Sequence, residues 1–541
     1  MPNKIEISNC QIIIPAVKKN VAFADDLIKK LDGVMLIQRT IDKAKAMVNN
    51  QDIIVVTDSE EISVICERNH IKFHYDRTLK LDESDPLQKL NRFFASFAAE
   101  AEFLLVLWPY APLVEITELA ASFKKFIDLK YNAMISVKGT RHQFVMTDNG
   151  LQATNGMIAG KEYYVEVKAF SFMQPQTVLS GNAKWQPYEL KENRIEIKDY
   201  HDWWVCERLL KRKRIVFRVI GHDKVGMGHV YRALSLAHEN TNDEILFICD
   251  ESSTIAVQKI AGHDYPVEVI PAERIVERMI ELKPDLVIND ILDTELDYMN
   301  RLKQAGIKVV NFEDLGKGSE AADITYNALY DEPQIKGKNY RWGCTYNFLR
   351  DEFEGARVHS WCPRVKDLLL TFGGTDPSNF TKRVLLTILD FCRGQGIKIH
   401  VVTGPGYAYT DEIIDIAGEE GADRILFTNQ TGVMSRIMER TPIAISSNGR
   451  TIYELAHMHI PSIIIAHHER EATHNFSVET NGFMNLGIST DGIEQKILEA
   501  LRKLCLDHEY RKMLFGRMKD FNFLPNKKVV LREINELLHG K

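Results

Sequence analysis

The chain has 541 residues, too many for one hydrophobic core, and its 45% hydrophobic and 26% charged residues are those of an ordinary folded protein. A formal charge of −7 excludes the basic footprint of a nucleic-acid binder. Eight cysteines without a C-x-x-C pair indicate neither a zinc site nor a disulfide framework, and the polar start and lack of any apolar run of about 18 residues lead to the expectation of a cytoplasmic protein without a membrane span.

In the first 200 residues strand-like and helix-like segments alternate. Gln11 to Ile14, Ile53 to Thr57, Phe103 to Leu107 and Ala133 to Val137 read as buried strands. Asp26 to Lys30, Arg39 to Val48, Glu60 to Asn69 and Ile116 to Leu129 read as helices between them, which predicts an α/β fold with a mostly parallel sheet. Residues 138–195 lose the alternation and read as a β-rich insertion or dimer arm, a route to a homodimer. Asp199 to Arg208 reads as a helix, and the charge run Lys211-Arg212-Lys213-Arg214 as a solvated junction.

Alternation resumes after the junction. Ile215 to Ile220, Glu244 to Cys249, Leu286 to Ile288 and Ile307 to Asn311 are the predicted strands of one lobe. Leu368 to Phe372, Ile397 to Thr403, Arg424 to Thr428, Thr441 to Ser446 and Ser462 to Ala466 are those of another. The expected division is 1–212, 213–360 and 361–541, with two Rossmann-like lobes in tandem and a ligand in the cleft beyond the carboxyl ends of their strands.

Three loops in these lobes carry the chemistry. Gly221 to Arg232 joins a strand to a helix, its glycines Gly226 and Gly228 admit close backbone approach, and His229 stands at the helix mouth, where an imidazole can move protons near neutral pH and backbone amides favour phosphate. Gly373-Gly374-Thr375-Asp376 precedes a helix in the second lobe and offers amides and hydroxyls to a phosphate or sugar. In Ser446 to Ala456, a strand ends in Ser447-Asn448-Gly449 and a helix then carries Thr451 and Glu454 in its first turn. A carboxylate there can accept both hydroxyls of a ribose while the preceding amides hold a diphosphate.

These segments, with Pro461 and with His474-Asn475 before Gly482, resemble the UDP-sugar hydrolase of the pseudaminic acid pathway and its spore-coat polysaccharide relatives, over roughly residues 213–500. The resemblance implies the two-lobed GT-B architecture of MurG-like glycosyltransferases. It further implies removal of UDP from a 2,4-diacetamido-2,4,6-trideoxy hexose, a sugar of nonulosonic acid type biosynthesis, by water attack at the anomeric carbon, with no cofactor required. Carried over, His229 becomes the general base or water-positioning group, and Asn289 and Asp290 become further catalytic contacts, in a run that lacks the family's tyrosine. Gly226, Gly228, Arg232, Gly373, Gly374, Thr375, Asp376, Ser447, Asn448, Gly449, Thr451, Glu454 and Asn475 become the binding set for the UDP-sugar, with Glu454 on the uridine ribose.

Ile12 to Ala16, Leu31 to Ile41, Val55 to Ile62, Leu107 to Leu113 and Ile195 to Trp203 resemble the landmarks of acylneuraminate cytidylyltransferases, which implies a Rossmann-like nucleotidyltransferase sheet over about 200 residues. The functional positions depart from that pattern. Between Ala16 and Leu31, where the family binds CTP with a glycine-rich, arginine-bearing loop, there is neither glycine nor arginine, only Lys18, Lys19, Lys29 and Lys30 as cations. The aspartates of the closing motif, which face Mg²⁺, are replaced by Glu196 and Lys198, and an ammonium beside a divalent ion should expel it. Trp108 and Tyr110 replace the family's Gln and Thr. The expectation is a degenerate domain, with CTP, a CMP-sugar and Mg²⁺ relevant only if activity survives. Three alternatives stay open: a bifunctional hydrolase plus CMP-sugar synthetase, a UDP-sugar glycosyltransferase, and a non-catalytic sugar-nucleotide scaffold.

Overall fold

The structure is a computed structural model that describes residues 7, 9–18, 25–79, 81, 87, 90, 93, 101–140, 145–147, 151–153, 163–191, 195–222, 225–421 and 424–540. The chain divides into two units, residues 1–212 and 213–541.

The N-terminal unit is built on one seven-stranded sheet, ordered Trp185–Glu189, Ala133–Thr140, Tyr163–Met173, Phe103–Leu107, Cys10–Ala16, Ile53–Thr57, Lys72–Tyr75. Its central strands are parallel and wholly buried, which is why they read as unbroken apolar runs. Tyr163–Met173 is antiparallel to both neighbours, so the expected β-rich insertion is in part a strand of the main sheet. Much of the rest of that expected dimer arm lies outside the described residues. Helices Leu36–Met47, Glu60–Asn69 and Ile116–Asp128 supply the apolar stripes that close the core. The helix expected at Asp26 to Lys30 is instead a turn. There the Asp26 carboxylate accepts the neighbouring Leu27 N–H at 2.7 Å, and the chain enters a short ribbon, Lys30–Leu31 with Val34–Met35, around Gly33 at φ +78°.

The C-terminal unit contains two parallel sheets. The first lobe is ordered Val267–Val269, Glu244–Cys249, Arg214–Val219, Leu286–Asp290, Lys308–Phe312, Ile324–Asn327, Tyr340–Trp342. The second is ordered Ile425–Asn429, Lys398–Thr403, Asp367–Thr371, Ile443–Ser447, Ser462–Ala466, Phe483–Ile488. In each lobe the first strand starts at the centre, the chain winds outward on one side, and it then crosses to the other. The reversal falls between Arg214–Val219 and Leu286–Asp290 in one lobe, and between Asp367–Thr371 and Ile443–Ser447 in the other. Loops leaving adjacent strands at such a point diverge and leave a crevice at the carboxyl edge.

A plain division at 360/361 misses the closing helix, Asn526–His539. Its Val530, Ile534 and Leu538 complete the core of the first lobe beside Val230, Ala233 and Phe312. Polar contacts hold the same helix: Lys308 Nζ donates to Leu537 O at 2.7 Å, Arg341 pairs with Glu533 at 2.8 Å, and buried Lys527 pairs with Glu239 at 2.8 Å and with Asp351.

Candidate active site

The two crevices of the C-terminal unit open into one cavity of about 680 Å³. On the first-lobe side it is lined by Gly226, Met227, Gly228, His229, Arg232 and Glu313. On the second-lobe side it is lined by Gly373 to Asp376, Ser447, Gly449 to Thr451, Glu454, Arg470 and His474.

His229 sits in the first turn of helix Gly228–Glu239. Its Nδ1 lies 2.5 Å from Asp290 Oδ1, and since a carboxylate only accepts, Nδ1 is the donor of that pair. Asp290 ends the neighbouring strand across the switch point and is 1% exposed. It does not line the cavity; it stands behind His229 and orients it. Arg232, one helical turn beyond His229, grips both Asp290 oxygens, Nε to Oδ2 at 2.7 Å and Nη2 to Oδ1 at 2.6 Å, and reaches Glu313 at 3.0 Å through Nη1. Burial alone would raise the Asp290 carboxyl, but Arg232 and His229 outweigh it and hold it down at about 2. Arg232, expected to bind ligand, thus spends its donors on two carboxylates.

Three other expected contacts are also structural. Asn289 precedes Asp290 on a strand, where successive side chains face opposite ways, and it lies in a buried network: it donates to Asn311 at 2.9 Å and accepts from Tyr298 at 2.6 Å. Asn448 donates to Glu471 O at 2.7 Å and His474 O at 3.0 Å and accepts from Ser477, holding two loops together. Asn475 accepts from the Asp331 N–H at 2.9 Å, away from the cavity. Asp376 lines the cavity, but its carboxylate caps helix Phe380–Gln395, accepting the Phe380 and Thr381 amides at 2.9 and 2.7 Å.

The glycine loops are there because backbone meets backbone. Gly373 has φ +85°, and a Cβ on Gly404 would lie 2.5 Å from Gly374 Cα, so the loop after Lys398–Thr403 packs directly on the Gly373-Gly374 turn. Glu454 lines the cavity from the second lobe. Burial pushes its carboxyl up, while Arg350 counters by donating from Nε at 3.0 Å. Arg350 also pairs with Glu352 at 3.0 Å. Arg470 bridges the lobes, pairing with Asp293 at 3.0 Å and donating to Glu313 O at 2.9 Å.

The sequence reading missed Glu313, Arg350, Arg450 and Arg470. For Glu313 a signal was present: it follows Lys308–Phe312 as Asp290 ends Leu286–Asp290, both at the carboxyl edge. Arg470 had no local signal, since its partners Asp293 and Glu313 lie far away in the chain, and the Arg350–Glu352 pair alone does not distinguish a cavity residue from a surface one.

In the N-terminal unit the closing motif sets a lysine beside its carboxylate. Glu196 pairs with Lys198 at 3.5 Å and accepts the Lys168 N–H at 3.1 Å, and among the described residues no group of three or more His, Cys, Asp or Glu is disposed to hold a metal. Lys18 is committed to Glu61 at 2.7 Å and Asp25 at 3.1 Å. Lys19 and the five residues after it, in the expected triphosphate loop, lie outside the described residues, as do Asp223 and Lys224 in the His229 loop. Asp26 and Asp58 each keep one buried oxygen without a hydrogen-bond partner among the described residues, and burial pushes the Asp26 carboxyl up to about 6. No helix among the described residues is long and apolar enough to cross a membrane.

Fold and site together define a mixed α/β protein whose C-terminal unit pairs two parallel Rossmann-like lobes around a cleft. Residues 12–224 match the cytidylyltransferase family model. An uncharacterized protein of Methanocaldococcus jannaschii is 30% identical over 269 residues, 46% of this chain and 54% of that protein, so the chain spans about half of that relative's length. The spore coat polysaccharide biosynthesis protein SpsG of Bacillus subtilis is 21% identical over 318 residues, 55% of this chain and 90% of that protein. Among solved structures, MurG of Acinetobacter baumannii is similar with a TM-score of 0.44 at 12% identity, covering 60% of this chain and 99% of that one. MnaA of S. aureus, solved with UDP, has a TM-score of 0.43 at 10% identity, covering 61% of this chain and 97% of that one.

Proposed function

We propose that residues 213–541 hydrolyse a UDP-linked acetamido-deoxy sugar at the anomeric carbon, in the assembly of a surface polysaccharide, and that the N-terminal unit keeps a cytidylyltransferase fold without nucleotidyl transfer. The observation that carries the first part is the His229–Asp290 pair at the wall of a cavity that Glu454 also lines. Asp290 fixes the His229 tautomer and ring orientation, and Nε2 takes a proton from water as its oxygen attacks the anomeric carbon. Glu454 accepts the ribose hydroxyls, and the Gly373-Gly374-Thr375 and Ser447 to Thr451 loops flank the diphosphate. The kinship with a spore-coat polysaccharide protein supports the glycan setting. The Lys198–Glu196 pair, at the place of a metal-binding carboxylate set, carries the second part.

The test is to incubate the full chain with UDP-linked acetamido sugars and to follow UDP and free sugar. Wild type should release both, while His229→Ala should be slower by on the order of 10² to 10⁴ and still bind UDP. Equal rates would remove His229 from the chemistry, and sugar appearing only on an added acceptor hydroxyl would make the reaction a transfer. For the N-terminal unit, no pyrophosphate should form from CTP, Mg²⁺ and a nonulosonic acid; its formation would make the chain bifunctional.

A further inference from the structure

Arg450 lies between Gly449 and Thr451 at the end of the Ile443–Ser447 strand, and its side chain lines the cavity. The other three arginines of the cavity wall are neutralised: Arg232 by Asp290 and Glu313, Arg350 by Glu352 and Glu454, Arg470 by Asp293. Arg450 differs. Its guanidinium donates to Phe348 O at 3.3 Å and lies 5.9 Å from the Phe348 ring centroid, and no carboxylate comes within ion-pair distance of it among the described residues. Burial and the nearby Arg232 charge lower its proton affinity to about 10, which still leaves it a cation at neutral pH. A half-buried guanidinium on a cavity wall, with no protein counter-charge within ion-pair distance among the described residues, has donors free for an anionic ligand.

Its position says which part of a ligand that anion is. The carboxylates that act on Arg450 at longer range are Asp290 and Glu313, behind His229 and Arg232, and Glu454, four residues further along its own segment. Its Cδ also lies 3.4 Å from the place a Cβ on Gly228 would occupy, against the His229 loop itself. It therefore touches the His229 loop from the start of the helix Thr451–His457 that carries Glu454. On the functional reading above, on which this inference rests, a diphosphate has to span the interval from His229 to Glu454.

We propose that Arg450 is a catalytic residue that binds the diphosphate and stabilises the charge it acquires as the sugar leaves. The bond from the anomeric carbon to the β-phosphate oxygen breaks with its electron pair passing to that oxygen, beside the guanidinium. The water oxygen bonds to the anomeric carbon and its proton goes to His229 Nε2. Charge that develops only as the bond breaks is where a fixed cation accelerates the step most.

The experiment is calorimetry of uridine and UDP on the full-length wild type, Arg450→Ala and Arg450→Lys, with turnover of a UDP-acetamido sugar measured on the same samples. Expected is a 10- to 100-fold loss of UDP affinity in Arg450→Ala with uridine binding unchanged, about the scale of one lost charge-assisted contact. Turnover should fall by on the order of 10² or more, return in part in Arg450→Lys, and return in part in Arg450→Ala on adding guanidinium ion. Retained uridine binding shows that the variant is folded. Equal UDP affinity and turnover in Arg450→Ala and wild type would overturn the proposal alone. A wild type that binds neither uridine nor UDP would overturn the reading of the cleft, and this proposal with it.

Discussion

Replacing Asp290 by Asn changes one oxygen to an amide and removes the charge on which His229 and Arg232 converge. The Asp290 carboxyl, held at about 2 against an ordinary value near 3.9, is displaced by about two units, or roughly 2–3 kcal/mol of native-state stabilisation. Because the native value is the lower one, that contribution is present above about pH 4 and fades as pH falls through 2. Asp290→Asn also leaves buried Arg232 with only Glu313, and breaking a buried pair costs about 3–5 kcal/mol. The variant should therefore unfold at lower urea at pH 7 by a few kcal/mol, and the gap to wild type should narrow as pH approaches 2. An amide N–H facing Nδ1 would move the imidazole proton to Nε2, so UDP release should drop by on the order of 10² to 10⁴ at pH 7. The assays are urea unfolding at several pH values and initial rates of UDP release by folded protein. An Asp290→Asn protein that turns over within about threefold of wild type would refute the positioning role.

Three further substitutions test other parts of the molecule. Glu454→Gln should weaken UDP binding by about 10- to 100-fold, the scale of a hydrogen bond to a charged group, and abolish the preference for UDP over 2′-deoxy-UDP in calorimetry; an intact preference would take the ribose away from Glu454. Gly404→Ala would place a methyl 2.5 Å from Gly374 Cα and 2.6 Å from Gly374 O, so stability should fall by about 1–3 kcal/mol in urea unfolding and UDP affinity should fall with it. Asp26, raised to about 6, lowers the stability of its unit as pH rises from 4 through 6. Asp26→Asn should flatten that dependence, read as hydrogen exchange of the Cys10–Ala16 amides corrected for intrinsic rate, and a slope equal to that of wild type would show that Asp26 is ionised throughout.

The fold was legible where burial on both faces makes a strand a short apolar run, as in Ile443–Ser447 and Ser462–Ala466. Edge strands such as Lys72–Tyr75 are exposed along their length and carry no such run. The three loops of the cleft were legible because glycine and small polar residues after a strand have few other uses. Their individual roles were less so. Alternation along Leu286–Asp290 already implied that Asn289 and Asp290 could not both face a ligand. Nothing local distinguishes Arg232, saturated by two carboxylates, from Arg450, which has no carboxylate within ion-pair distance among the described residues. That difference arises from partners 58 and 81 residues away in one case and from the lack of such a carboxylate in the other.

The return of Asn526–His539 to the first lobe orders events in time. During translation, the strands from Arg214 to Trp342 emerge and can pair early, yet the hydrophobic interior that supports the His229 helix stays open along one flank until Leu538 has left the ribosome. The helix that carries His229 is therefore fully supported only after the second lobe has been synthesised.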